Sequence, residues 1–216
     1  MSETAKRLLV AFGIVGAILL ALGLEKIGIP GVYMLALLIG AGMLFEFGRC
    51  LWRAPRDVMF NAKNLLLFGL FFVLLILDFV SIVKIGQRGY MLLLIFFVVC
   101  AADVGAWFFG HMLGGDKLWE KVSENKTWTG QIFGVICGTL AAMVYAYIFR
   151  HNFVPTFIWL GISLSLLSQY GDLTASFIKR KLKIKDFSNF LSVHGGIIDR
   201  FDGWIYILPL VWMIWA

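Results

Sequence analysis

Stretches of about twenty apolar residues recur from one end of this chain to the other, and few folds can bury them. A bilayer core removes water from the backbone, so a spanning segment must satisfy its own N–H and C=O groups, as a helix does. A β-barrel would need apolar and polar residues to alternate, whereas these runs are continuously apolar. We read spans at about Leu8–Leu24, Ile29–Phe47, Asn64–Val83, Tyr90–Leu113, Gly130–Phe149, Phe153–Tyr170 and Trp204–Ala216. The expected fold is therefore all-α, a polytopic membrane protein of about seven transmembrane helices. With 61% hydrophobic and only 15% charged residues among 216, nothing is left for a separate soluble domain. We expect a single integral membrane domain, with N-terminal transmembrane helices in 1–89 and a C-terminal membrane region in 90–216 carrying the large polar loops at 114–129 and 171–203.

Positive charge sets the orientation. With the N-terminus inside, fifteen Lys and Arg fall on inner segments and four (Lys26, Lys84, Arg88 and Arg150) on outer ones. That asymmetry predicts a cytoplasmic N-terminus and places both large polar loops in the cytoplasm. The net charge of +6 is then a topology and lipid signal, not a nucleic-acid one. Lys6, Arg7 and the apolar residues after them have the look of a secretion signal. No small-residue cleavage site follows, and we read a retained first helix. Gly28, Ile29, Pro30 and Gly31 suit a tight turn between the first two spans. Cys50, Cys100 and Cys137 lack CxxC spacing and read as buried, reduced thiols.

Against this hydrocarbon background, the stretch from Ser168 to Gly203 is anomalous. It holds Asp172, Asp186, Asp199 and Asp202, six Lys and Arg residues, and His194. Asp172, Ser176, Lys179 and Arg180 stand at i, i+4, i+7 and i+8, one face of a helix continuing the sixth span. A carboxylate, a hydroxyl and two cations in a row suit a phosphate chain held partly through a divalent metal. Asp199 and Asp202 share a face at i, i+3, with Arg200 beside them. The last span has only thirteen residues, too short for a core of about 30 Å. Extending it as a helix back to Ile197 would draw these acids below the membrane surface. The competing reading is a basic patch on anionic lipid with the acids paired off, and it suits Lys181, Lys183 and Lys185 best. Acids at membrane depth favour function for Asp172 and Asp199. His194, Gly195 and Gly196 could cradle an anion with successive N–H groups, on a weak signal.

A second group begins with Asp103 inside the fourth span. Gly105, Ala106 and Gly110 keep one side of that helix small, and Ser123, Lys126 and Thr127 follow before the fifth span. A packing face and a solvated loop explain these residues equally well. Asp78 is a further lone acid, readable as a helix–helix hydrogen-bonding partner. His111 and His151 read as interfacial, and Trp204, Trp212 and Trp215 as an aromatic belt. An ion-conducting role for Asp78, Asp103 and Asp172 would leave the charged C-terminal cluster without a purpose.

These residues resemble the phosphatidate cytidylyltransferase (CDP-diacylglycerol synthase) family. The family pattern S-x-x-K-R, K-D, then H-G-G-x-x-D-R-x-D is matched by Ser176, Lys179, Arg180, Lys185, Asp186, His194, Gly195, Gly196, Asp199, Arg200 and Asp202. Upstream, Ser168, Gln169, Gly171 and Asp172 resemble its S-Q-x-G-D. Asp103, Gly105, Ala106, Trp107 and Gly110 resemble a further block, continued by Ser123, Lys126, Thr127, Trp128 and Gly130. Glu124, Asn125 and Thr129 depart from the usual Pro, Lys and Glu, removing one cation. The resemblance covers about the C-terminal half. It implies attack of a phosphatidate oxygen on the α-phosphorus of CTP, with pyrophosphate leaving. It implies Mg²⁺ on Asp172 and Asp199, with room for a second, monovalent cation, and Asp202 in support. Lys179, Arg180 and Arg200 would take phosphate oxygens; Ser123, Lys126, Thr127, Ser176, His194, Gly195, Gly196 and Asp103 would line the substrates. The implied partners are CTP, phosphatidate and membrane lipid, with no nucleic acid and with a homodimer allowed. The implied location is a bacterial inner membrane with the site facing the cytoplasm. Related readings are another lipid phosphate or lipid alcohol as acceptor, or an inactive lipid-binding paralogue.

Overall fold

The computed structural model describes residues 16–17, 19–59, 61–85, 89–150, 155–190 and 195–215. About half of the first expected span lies outside them, as do His151 and His194. The chain divides into two compact units, one drawn from 1–89 and 178–216 and the other from 90–177. Among the described residues, four helices are long and apolar enough to cross a membrane: Gly31–Arg53, Ala62–Lys84, Met91–Leu113 and Trp128–Phe149.

In the first unit, helical residues 19–26 end in the anticipated turn. Gly28 takes φ +82°, and the N–H of Ile29 bonds the carbonyl of Leu24 at 3.0 Å, a Schellman closure that favours glycine. Helix α1 (Gly31–Arg53) follows Pro30 and stops where Pro55 forces Ala54 into an extended conformation (ψ 142°). After the short α2 (Arg56–Met59) comes α3 (Ala62–Ile85), whose lysines sit only near its ends. The α1–α3 core is aromatic: Phe47 meets Phe71 edge-on at 4.9 Å, and Phe71 stacks on Phe187 at 6.1 Å. Asp78 of α3 is 1% exposed, and no described group bonds its carboxyl oxygens, so the anticipated helix–helix partner is not found among the described residues.

The second unit holds α4 (Gly89–Leu113), the strands β1 (Lys117–Trp119) and β2 (Ser123–Thr127), α5 (Trp128–Arg150) and most of α6 (Pro155–Lys181). Small residues let the helices close: Gly105 faces Cys137, Gly110 faces Gly130, and Gly138 faces Ser165. His111 stacks on Trp107 at 6.1 Å. The expected loop 114–129 is in fact an antiparallel hairpin, pairing Lys117 with Thr127 and Trp119 with Ser123. Its strands are short and polar; the ring of Trp119, stacked on Phe177 at 5.6 Å, holds them down.

Three expectations change. Helix α6 runs eleven residues past Tyr170, so the polar loop is shorter than 171–203. The helix then ends in a second Schellman closure, Ile184 N–H to the carbonyl of Lys179 at 3.0 Å, with Lys183 at φ 58° where glycine is usual. The extended last helix back to Ile197 is broken into α7 (Ile198–Phe201), a 3₁₀ turn (Asp202–Trp204) and α8 (Ile207–Trp215). Pro209 explains the break, since its ring would clash with the carbonyl of Ile205 in a continuous helix. The cysteines form no disulfide, but none is fully buried: Cys100 is exposed and the other two are half-buried.

Candidate active site

In the first unit, two carboxylates hold the segment around α7, one to the C-terminal turns of α6 and the other to α1. Asp199 Oδ1 accepts from Lys179 Nζ at 2.7 Å, and its Oδ2 accepts from the N–H of Phe187 and of Gly196, each at 2.9 Å. The Lys179 and Asp199 side chains are only 13% and 5% exposed. Lys179 Nζ also lies 5.6 Å from the centre of the Phe187 ring, and the carbonyl of Phe187 accepts from Cys50 Sγ at 2.7 Å. One carboxylate therefore joins a helix end, a loop strand and the glycine turn.

Glu46 of α1, 5% exposed, is the second carboxylate. Its Oε1 accepts from the N–H of Ile197 at 3.1 Å and from the Ser188 hydroxyl; its Oε2 accepts from the N–H of Ile198 at 2.7 Å. Gly195 needs its φ of +77°, and a Cβ on Gly196 would collide with the Glu46 carboxylate. The N–H groups of Gly196, Ile197 and Ile198 thus all point to protein carboxylates. Of the anion cradle anticipated at His194, Gly195 and Gly196, the N–H of Gly196 is turned inward to Asp199. Arg180 and Arg200 are exposed, and Asp202 Oδ1 accepts the N–H of Gly203 at 2.9 Å.

The sequence reading missed Glu46, although a lone acid in an apolar run was signal enough. Glu46→Gln keeps the volume but offers one carbonyl oxygen to three donors. We expect a loss of about 1–3 kcal/mol, read as a lower thermal midpoint in detergent, together with reduced turnover. An unchanged midpoint and unchanged turnover would contradict this role.

In the second unit, Lys126 Nζ of β2 pairs with Asp172 Oδ2 of α6 at 2.5 Å, their side chains 26% and 35% exposed. Among the described residues, Asp172 Oδ1 has only a long 3.4 Å contact from Ser176 Oγ. Asp103 of α4 is accessible and close enough to feel the charges of both Asp172 and Lys126. Ser123 is half-buried at the start of β2. Thr127 is taken up differently from the expectation. Its hydroxyl, in a residue 6% exposed, accepts the N–H of Gly130 at 3.1 Å and so caps α5. Thr129, one of the departures from the family pattern, bonds the carbonyl of Gly114 and closes the hairpin base.

The donor chemistry suits Mg²⁺ at Asp172. That ion takes oxygen ligands, commonly one or two carboxylates completed by waters and substrate phosphates. Asp172 Oδ1 and the Ser176 hydroxyl are hard oxygens with little else to hold. No group of three acid, His or Cys side chains placed to hold a metal ion occurs among the described residues. Asp199 fits less fully. Its Oδ2 already has two donors, and its Oδ1 keeps one lone-pair direction beside Lys179. Of Lys181, Lys183 and Lys185, Lys183 is engaged within the chain, bonding Asp57 at 2.9 Å and holding that exposed carboxyl below the usual range.

Residues 2–216 match the model of the cytidylyltransferase family. A protein of Staphylococcus aureus (strain COL) named phosphatidate cytidylyltransferase is 40% identical over 124 residues, covering 56% of this chain and 47% of its own length. One of the same name from Rickettsia bellii is 33% identical over 196 residues, covering 86% and 80% respectively. The chain spans about half the length of the staphylococcal relatives it matches.

Proposed function

This chain belongs to the cytidylyltransferase family, and from that premise we propose that it makes CDP-diacylglycerol from CTP and phosphatidate at a membrane. In the proposed reaction a phosphate oxygen of phosphatidate bonds to the α-phosphorus of CTP, and the bond to pyrophosphate breaks. Such a displacement needs charge neutralisation and in-line positioning more than covalent help from the protein. The carrying observation is the charged pattern from Ser176 to Asp202, with its glycine turn held by buried carboxylates and its arginines exposed.

We assign roles from the family pattern together with the contacts described above. Asp172, backed by Ser176, is the carboxylate we assign to Mg²⁺, which when bound neutralises phosphate charge and eases departure of pyrophosphate. Asp199 is assigned first to shaping the glycine turn and orienting Lys179, with its remaining Oδ1 direction left for a cation. Arg180, Arg200 and Lys179 take phosphate oxygens, Arg as a two-pronged donor and Lys as a point charge. Lys126 and Ser123 hold nucleotide phosphate from the hairpin, while Thr127 serves by fixing where the hairpin meets α5. Asp202 supports the turn after Arg200. Bacterial relatives and the excess of Lys and Arg on the loops favour an inner membrane with this site in the cytoplasm.

Purified protein in detergent with phosphatidate and each of the four nucleoside triphosphates tests this. Pyrophosphate release is expected with CTP, dependent on Mg²⁺ and on the lipid. No release with any nucleotide across several acyl-chain lengths would end the proposal.

A further inference from the structure

The C-terminal end of α1 and the segment following α6 enclose a cavity of about 530 Å³, inside the first unit. That volume is in the range of small-ligand sites, about 300–1,000 Å³. Its lining divides by chemistry. Arg49 and Arg53, one helical turn apart on α1, line it with two cationic side chains, together with the polar Asn189; Phe45, Ile184 and Phe190 contribute apolar wall. Phe45 and Phe190 are each 73% exposed, so the apolar side is open. Neither arginine has a carboxylate within ion-pair distance among the described residues. Glu46, the cavity's one acid, has its oxygens turned to Ser188, Ile197 and Ile198.

We propose that this cavity is the acceptor-lipid site, taking a phosphomonoester lipid with Arg49 and Arg53 on the phosphate and the acyl chains along the Phe45 and Phe190 wall. This rests on the reaction proposed above and adds a site to it. A phosphomonoester carries about −1.5 to −2 charges near neutrality, which two guanidinium groups match. Bidentate Arg–phosphate pairing gives geometry as well as attraction. The apolar wall adjoins a helix long enough to span the membrane, which suits a ligand with acyl chains rather than a free nucleotide. Arginines at helix ends also serve as membrane anchors. Arg56 provides the contrast: it is exposed in the following helix and is not part of the cavity lining.

The test has a binding arm and a kinetic arm. Without CTP, calorimetry should show dioctanoyl phosphatidate binding the wild type. Arg49→Gln with Arg53→Gln should weaken it at least ~10-fold, the loss of one to two charged hydrogen bonds. Arg56→Gln should bind as the wild type does. Dioctanoylglycerol should bind poorly, and inorganic phosphate should not compete at lipid-equivalent concentrations. In turnover, the lipid KM of the double variant should rise by a similar factor while the CTP KM stays within about twofold. Wild-type lipid binding by the double variant overturns the site. So does equal competition by inorganic phosphate, which marks a free-anion site, or by CTP, which marks a nucleotide site. Should the double variant lose its thermal midpoint, the two single variants carry the same comparison. If the wild type binds lipid through these arginines but releases no pyrophosphate, the reaction fails and the cavity stands.

Discussion

Asp172→Asn is expected to lower CTP-dependent pyrophosphate release by about 10²–10³-fold while leaving the thermal midpoint nearly unchanged. The size follows from removing one pre-positioned electrostatic partner of a phosphoryl centre. The unchanged stability follows from exposure: at 35%, and paired to a Lys126 that is 26% exposed, Asp172 contributes little to folding. Exposed ion pairs are worth about 0–1 kcal/mol. A carboxamide keeps the shape and a hydrogen bond but not the charge, so the residual activity should need more Mg²⁺ for half-saturation. Activity within about threefold of wild type at ordinary Mg²⁺ would remove Asp172 from the metal role.

Asp199→Asn should fail differently, losing turnover and stability together. Its carboxylate is 5% exposed and accepts from Lys179 and from two backbone N–H groups. Removing one partner of a buried pair costs about 3–5 kcal/mol, because the other charge stays behind. A carboxamide must also turn its NH₂ toward one of those donors. We therefore expect a clear drop in thermal midpoint, with little pyrophosphate released even where the protein remains folded. Lys179→Met combined with Asp199→Asn should recover part of the stability but none of the activity, since the stranded ammonium is gone while the turn remains loose. A full-stability Asp199→Asn protein would show that the buried network is not what holds the turn.

The contrast between these two aspartates was not legible in the sequence, where both are acids at membrane depth in one motif. Spacing identified the residues; it could not say which oxygens the fold had already engaged. Asp199 meets donors from α6, from Phe187 and from its own turn, an allotment made only once those segments pack. Glu46 illustrates the same limit more sharply, because its partner N–H groups lie 151 and 152 residues away. The glycines of the turn, by contrast, were readable: Gly195 needs positive φ and Gly196 admits no Cβ. The four long apolar helices were readable too, since length and hydrocarbon content suffice. Helix α6 was legible beyond Tyr170 through the spacing of Asp172, Ser176, Lys179 and Arg180, though its stop was not, because Lys183 occupies a position that usually announces itself as glycine. The break before α8 was not read, although Pro209 stands there in the sequence. The hairpin gave no sign, being polar, brief and held by the distant ring of Phe177.

The family pattern, the engaged carboxylates and the exposed arginines converge on one claim, that a cytidylyl group moves onto a lipid phosphate. The most direct measurement uses CTP labelled at the α-phosphorus, or separately at the γ-phosphorus, with purified protein, Mg²⁺ and phosphatidate. Label from the α position should enter the chloroform-soluble lipid, and label from the γ position should leave as pyrophosphate. Label from the γ position in the lipid, with CDP released, would instead mark a kinase acting on a lipid alcohol, and no lipid label from either position would contradict the claim outright.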